Sequence, residues 1–304
     1  MTGDSLQKKK LTNMEEKFTS RPLSEGDRDV ILAIARNTWG GHDHLPKMFE
    51  EWLSDDNCHS ICVEVDGRIA SLGCIRLIEG GRTAWLEGLR TQQEFQGKGY
   101  ARVITDQLKS LAKELGANRM RLTASLENPT SVHLAGSIGM KKLQTLTANW
   151  FGPLGPLVNK SKGGQVRALT SPEAMQVIIR NPNLIPYDAI IFHWYALDAS
   201  EDAALRMAEV CFSVSESGGN VVGMSLGFQR MDGEYREWCM TVYPKTKPAF
   251  LSLLSDQIRK GIEHESDTFM VTYPSEYEYY RKEIEALHES GHSLTLGLFE
   301  GTVA

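Results

Sequence analysis

Residues 85–116, WLEGLRTQQEFQGKGYARVITDQLKSLAKELG, decide the reading of the whole chain. Trp85, Leu86 and Leu89 suit a strand, and Gly97 and Gly99 punctuate a tight loop. Val103, Ile104, Leu108, Leu111, Ala112 and Leu115 then recur at the three-and-four spacing of an amphipathic helix. Gly116 stands where a helix C-terminus wants a residue tolerant of positive φ. The pattern predicts strand, glycine loop and long helix in that order.

The loop QGKGYA, residues 96–101, has a chemistry available to it. Glycines let the main chain approach a ligand, and the first N–H groups of a helix have no partner inside it. With the positive end of the helix dipole they make a cradle for a phosphate or pyrophosphate, and Lys98 adds a charge. A Rossmann G-x-G-x-x-G fails, because Arg102 stands at the third glycine position. No Walker G-x-x-x-x-G-K-[ST] is present. Q/R-x-x-G-x-G/A fits, through Gln96, Gly99 and Ala101.

With that loop between a strand and a helix, and with Asn128-Pro129 opening a further helix, the segment resembles the acetyl-CoA signature of the GCN5-related N-acetyltransferase (GNAT) superfamily. A narrower likeness lies upstream. GGHDHLPKMFEEWL, residues 40–53, together with EGLR before the loop, is similar to the histidine N-acetyltransferases, whose pattern is roughly GG-x-D-Y-L-P followed by a Trp. This chain keeps Gly40, Gly41, Asp43, Leu45, Pro46 and Trp52, and carries His44 at the Tyr position.

The chain has 304 residues, enough for one large or two ordinary domains, with 41% hydrophobic and 24% charged residues. A net charge of -6 supplies no general basic surface, so nucleic acid is not expected as a partner. No apolar run nears the roughly 20 residues that span a bilayer, so no membrane partner is expected. The opening MTGDSLQKKKLTNMEEK is polar and reads as a disordered tail over 1–16 rather than a secretory signal. Five cysteines, an odd number without a C-x-x-C, read as reduced structural thiols in the cytosol. His42, Asp43 and His44 invite a metal reading, but no further ligands are spaced nearby and no metal cofactor is expected; the competing readings are a polar loop that caps the next helix and a substrate contact through Asp43 and His44.

Taken in order, FTSRP suits a first strand, Ser24 with Asp27 a helix start, and 59–81 a hairpin about Asp66-Gly67. A strand at 118–126, a helix from Pro129 and a strand ending near Gly152 complete a first half, 17–152. Residues 153–164, rich in Gly, Pro and Lys, read as a linker. The second half, 165–304, reads as a worn copy. It has a hairpin about Asp232-Gly233, a helix opened by Pro248, a strand at 267–274, a helix carrying Tyr280, Ile284 and Leu287 up to Gly291, and a last strand. The counterpart of QGKGYA there is PKTKPAF, without a glycine pair. The expectation is an α/β (α+β) protein with a mixed central sheet: a tandem GNAT-like fold, its second copy degenerate, with one acetyl-CoA site in 17–152.

Acetyl transfer to an amine needs a polarised thioester and a deprotonated nitrogen. Glu87 is the candidate base; strand alternation puts it on the face of Trp85 and Leu89, and a carboxylate among apolar neighbours can work through a water. The competing reading is an ion pair with Arg90 or another basic residue. The resemblance implies that Leu89, Arg90 and Thr91 line the pantetheine arm, that Gln96, Gly97, Lys98, Gly99, Tyr100 and Ala101 hold the pyrophosphate, and that Asn128 meets the cofactor. It also implies that the region of Asp43 and His44 flanks the acceptor. Tyr187, in an aromatic cluster with His193, Trp194 and Tyr195, either packs in a core or walls that pocket. The position where many relatives carry a Tyr acid is Ala135, leaving His133, Tyr187, Tyr195 or water for that role. The expected activity is N-acetylation of a small amine, foremost the α-amino group of a free amino acid such as histidine. The alternatives are acetylation of protein lysines or N-termini, and a catalytically silent acyl-CoA-binding module.

Overall fold

The computed structural model describes residues 18–41, 43–152, 165–278 and 292–303. The N-terminal tail, His42, the 153–164 linker and the helix read through Tyr280, Ile284, Leu287 and Gly291 lie outside the described residues. Two compact units are present. One comprises the residues up to Met120 with Ser137–Gly139 and the segment from Gly301; the other comprises Arg121–Gly136 and Met140–Glu300.

In the first unit, β1 (Phe18–Pro22) leads through a short turn to α1 (Arg28–Arg36) and α2 (Leu45–Ser54). Then come β2 (Cys58–Val65), β3 (Arg68–Ile78), β4 (Thr83–Thr91) and α3 (Tyr100–Glu114). The strands pair antiparallel in the order β1-β2-β3-β4. The β2–β3 turn is the foreseen two-residue one: Asp66 (φ 51) and Gly67 (φ 74) both take positive φ, as a type I′ hairpin requires. Ile31, Leu45, Phe49 and Trp52 from α1 and α2 bury one sheet face with Cys62, Leu72 and Cys74. The opposite face receives α3. Gly73, between Leu72 and Cys74, has Leu108 Cδ1 only 3.0 Å from where a Cβ would stand. The periodic stripe is real, with Ile104, Leu108 and Ala112 fully buried, but Leu115 is left 38% exposed. The helix ends in a Schellman motif: Ala117 N–H donates to Ala112 O (2.9 Å) and Gly116 N–H to Lys113 O (3.0 Å), with Gly116 at φ 87.

The start of α1 is tied to β1 by charge. Arg21 donates from Nη1 and Nη2 to the two Asp27 oxygens (2.8 and 2.7 Å), and Ser24 N–H adds a third bond. Those bonds, the Arg21 one foremost, hold the buried Asp27 carboxyl below the usual carboxylate range. A folded-state pKa below the unfolded one gives stability that is complete above the ordinary aspartate range and drains away as pH falls toward the folded value. Asp27→Asn is therefore expected to lower the melting temperature at neutral pH and to flatten its acid limb. Melts recorded across pH check this, and parallel wild-type and variant curves would contradict it.

The second unit takes in β5 (Arg119–Ser125) from Arg121 onward, α4 (Pro129–Ser137), β6 (Lys141–Phe151), β7 (Gln165–Leu169) and α5 (Ser171–Arg180). It continues with β8 (Ala189–Phe192), β9 (Tyr195–Asp198), α6 (Glu201–Arg206), β10 (Cys211–Ser217), β11 (Asn220–Asp232) and β12 (Tyr235–Pro244). It ends with α7 (Lys247–Glu263), β13 (Thr268–Pro274) and β14 (His292–Thr302). Its strand order is β5-β14-β6-β13-β12-β11-β10-β7. Only the β12–β13 register is parallel among those resolved pair by pair in this unit. The fold is thus mixed α/β, and the foreseen succession β11, β12, α7, β13, β14 is present. Phe250, Leu253, Leu254 and Ile258 of α7 bury against Trp238, Met240 and Val242 of β12. Two features went unread in the sequence. Gly218-Gly219 (φ 56 and 78) turn β10 into β11, and β8–β9 form a separate hairpin.

The sheet order carries a topological exchange. The last strand, β14, sits between β5 and β6, which are near neighbours in sequence; β6 in turn lies between β14 and β13. Each sequence repeat therefore closes on a strand from the other. This is why the compact units divide after Met120 and not at residues 153–164.

Candidate active site

The chemistry-bearing residues of the first unit gather on β4 and at the start of α3. β3 and β4 pair in step up to Cys74↔Glu87, and again from Leu72↔Arg90. One β3 residue, Gly73, thus stands against two on β4, Gly88 and Leu89: a β-bulge, with Gly88 at φ 65. The bulge corrects the simple alternation. Trp85, Glu87 and Arg90 share the face beneath α2, being paired with Arg76, Cys74 and Leu72. Leu89 turns to the α3 side, its Cδ1 3.4 Å from a Cβ built on Gly73. A glycine inside a strand is the signal that could have located the bulge.

Glu87 is held by two donors. Trp52 Nε1–H donates to Oε1 at 2.8 Å, and Arg76 Nη2 reaches the same oxygen at 3.2 Å. The Glu87 side chain is 7% exposed. Arg76 also pairs with Asp55 and stands 3.7 Å from Glu51. The structure therefore brings base candidate and ion pair together, through Arg76 rather than Arg90.

Trp52 can lie this close because position 88 has no side chain. A Cβ on Gly88 would stand 2.3 Å from two indole carbons. Gly88→Ala is expected to destabilise by about 2–4 kcal/mol, from the left-handed φ and the overpacking together. It should also tilt Trp52 off Glu87. A calorimetric melt and the indole emission check this; an unshifted melt would contradict the close approach.

Asp43 turns inward, into bonds with its own chain. Its side chain is wholly buried. Arg90 Nε and Nη2 each donate to one of its oxygens at 2.7 Å, and Leu45 N–H donates at 3.0 Å. The residue anchors Arg90, whose Nη1 also bonds Leu89 O at 2.9 Å, and so braces the bulge from the side of α2. His44, at the start of α2, is exposed.

Thr91 Oγ1 lies 3.0 Å from Ser71 Oγ, and Gln96 Nε2 bonds Thr91 O at 3.4 Å. Gln96, Gly97, Lys98 and Gly99 are exposed and Ala101 is half-buried. The Tyr100 ring is buried, edge-on to Phe95 at 5.9 Å. Gly97 and Gly99 take φ 73 and 91, and Gly99 caps α3 without any side-chain hydrogen bond. α7 makes the contrast. Its cap, Thr246, accepts from Ala249 N–H at 3.3 Å, and Pro248 supplies no N–H. The first helix has a cap without a side chain, whereas the second is capped by a threonine hydroxyl and lacks one N–H at Pro248. Beside the loop, a cavity of about 200 Å³ is lined by Val65, Asp66, Arg68, Glu94, Phe95 and Lys98. Lys98 Nζ and the Arg68 guanidinium stand 5.3 and 5.6 Å from the Phe95 ring centroid.

The other sequence candidates lie in the second unit. Asn128 Oδ1 accepts from Ser131 N–H at 3.2 Å, capping α4. His133 is exposed and Ala135 buried. Tyr187 is 62% exposed at φ 58, so it does not pack in a core; His193 and Trp194 contact each other edge-on.

Residues 29–140 match the model of the acetyltransferase (GNAT) family. The chain carries a GNAT domain. Over 81 residues it is 36% identical to histidine N-acetyltransferase of Oreochromis niloticus, covering 27% of this chain and 24% of that one. Over 202 residues it is 26% identical to probable N-acetyltransferase 16 of Homo sapiens, covering 59% and 53%. The chain thus spans about a quarter to a half of the length of these curated relatives. A tandem GNAT protein from the clavulanic acid biosynthesis pathway superposes with TM-score 0.54 at 12% identity, covering 95% and 99%. The fold is a tandem GNAT fold. No helix among the described residues is long and apolar enough to cross a membrane.

Proposed function

We propose that the chain is an acetyl-CoA-dependent N-acetyltransferase acting on a small amine, foremost the α-amino group of a free amino acid such as histidine. The observation that carries this reading is the α3 N-terminus. Its glycine cap has no side-chain partner, and it follows a bulged strand that bears a nearly buried carboxylate. Gln96, Gly97, Lys98, Gly99, Tyr100 and Ala101 would present main-chain donors to the diphosphate, with Lys98 and Arg68 as flanking cations. Leu89, Arg90 and Thr91 would run beside the pantetheine arm, and Asn128 is kept as a cofactor contact. Acetyl-CoA supplies the activated acyl group as a thioester.

Glu87 takes the proton of the incoming ammonium, directly or through one water, so that nitrogen gains a lone pair. Trp52 and Arg76 fix the carboxylate for that task. N–H groups at the bulge face the negative charge that develops on the thioester oxygen. Asp43 holds Arg90 and with it the shape of the bulge. His44 and Tyr187 are retained as acceptor contacts, and the repeats as 17–152 and 165–304, in a cytoplasmic protein. The likeness to histidine N-acetyltransferase supports the amino-acid choice.

The test mixes the full chain with acetyl-CoA and each free amino acid, polyamine or histone-tail peptide, and follows thiol release. Release with free amino acids, histidine foremost, is expected. Release with peptides alone would transfer the reading to protein acetylation. Binding of coenzyme A without release from any amine would leave only the acyl-CoA-binding module.

A further inference from the structure

Two thiols stand beside the candidate base. Cys74 lies directly across the β3–β4 ladder from Glu87, and Cys58 lies diagonally across the β2–β3 ladder, where Ser60 pairs with Cys74 and Cys58 with Arg76. The three side chains share the sheet face beneath α2. Their ligand atoms, two Sγ and one carboxylate oxygen, all fall within 4.8 Å of one another. Cys74 is fully buried and Cys58 half-buried.

We propose that Cys58, Cys74 and Glu87 form a binding site for a soft divalent cation of the Zn²⁺ type, and that its occupancy silences Glu87. Two thiolates and one carboxylate are a donor set that Zn²⁺ prefers over the harder Mg²⁺ or Ca²⁺. Ligand atoms in a tetrahedral zinc site lie roughly 3.5–4 Å apart, from Zn–S near 2.3 Å and Zn–O near 2.0–2.2 Å. The cluster needs only a modest contraction, and a water completes the fourth position. All three ligands sit on paired strands, which hold their spacing more rigidly than loops would.

Binding exchanges protons for metal. The Cys58 and Cys74 Sγ–H bonds break, both protons pass to solvent, and the two sulfur pairs and a Glu87 oxygen pair go to the cation. No electron is transferred and no oxidant is needed. Arg76, which shares Glu87 with Trp52, has Asp55 and Glu51 to receive its charge when the metal arrives. A Glu87 oxygen on a metal no longer accepts the substrate proton. This consequence rests on the proposed acetyl transfer, whereas the site itself does not.

The experiment reads the two separately. The full-length reduced protein is titrated with Co²⁺ without substrate, and thiolate-to-cobalt absorption is followed. One equivalent is expected to bind with that absorption and to be displaced by Zn²⁺. Cys58→Ser and Cys74→Ser should each weaken binding by at least the ~10–100-fold that losing an outer-shell partner costs. Glu87→Gln should weaken it with the thiols intact, and Cys211→Ser should leave it unchanged. Should Cys74→Ser fail to fold, protection of wild-type Cys58 from alkylation by one equivalent of Zn²⁺ replaces that arm. Absent absorption, undiminished binding in Cys58→Ser, or an unprotected Cys58 would overturn the site. In the enzyme assay, one equivalent of Zn²⁺ should cut thiol release more than tenfold, reversibly with chelator. Binding without inhibition would overturn the silencing alone, and absence of any basal release would instead count against the proposed activity.

Discussion

Glu87→Gln is expected to lower turnover by about 10²–10⁴-fold, the range for losing a positioned general base, while acetyl-CoA affinity stays within a few-fold. The substitution suits the site. Gln keeps an oxygen to accept from Trp52 Nε1–H, it fills the same volume, and Arg76 retains Asp55. Fold and cofactor binding should therefore survive while proton acceptance is lost. Steady-state thiol release, calorimetric titration with coenzyme A and a melting curve read the three quantities independently. A rate within threefold of wild type would remove Glu87 as base. A fall in rate matched by an equal fall in coenzyme A affinity would make the residue structural. Glu87 is the sole carboxylate of β4, so no neighbour on that strand can take over.

Removing residues 292–304 is expected to abolish the folded state. β14 pairs with β6 from His292↔Trp150 to Glu300↔Lys141, and it fills the place between β6 and β5. Leu296, Leu298 and Phe299 are 1%, 0% and 4% exposed. Fully burying such side chains contributes about 1.5–3 kcal/mol each, so three approach the roughly 5–15 kcal/mol that a whole domain has to lose. Arg121, itself buried, would also lose Glu300, 2.7 Å from its Nε, and β5 and β6 would be left with open edges. The truncated chain should give no cooperative melt and should aggregate. The synthetic 292–304 peptide, added during refolding, should restore part of the transition by strand addition. A truncated chain that melts cooperatively within a few degrees of wild type would refute the closing role of this strand.

The glycine loop and its helix were legible because their rules are local. Positive φ at Gly97, Gly99 and Gly116 needs no partner from elsewhere, and the Ile104, Leu108 and Ala112 stripe follows from helical pitch. The same holds for the hairpin turn at Asp66-Gly67, whereas the second hairpin turns on Gly233-Glu234, one residue beyond the Asp232-Gly233 reading, because Asp232 pairs with Tyr235. Glu87 could be singled out, but its surroundings could not. Trp52 and Arg76 reach it from 35 and 11 positions away, and strand alternation misassigned Leu89 because Gly88 inserts one residue into the ladder. The Asp43 pairing was hidden for the same reason: its partner, Arg90, is 47 positions distant.

From residue order alone came the α/β class, the doubled succession of strands and helices, and the glycine loop ahead of α3. Each depends on spacing along one segment. Tertiary structure alone decided which strand closes which repeat, how the bulge turns Arg90 and not Leu89 toward Glu87, and which donors hold that carboxylate. Those outcomes depend on hydrogen-bonded pairing between distant strands, whose register is set by the burial of both partners at once.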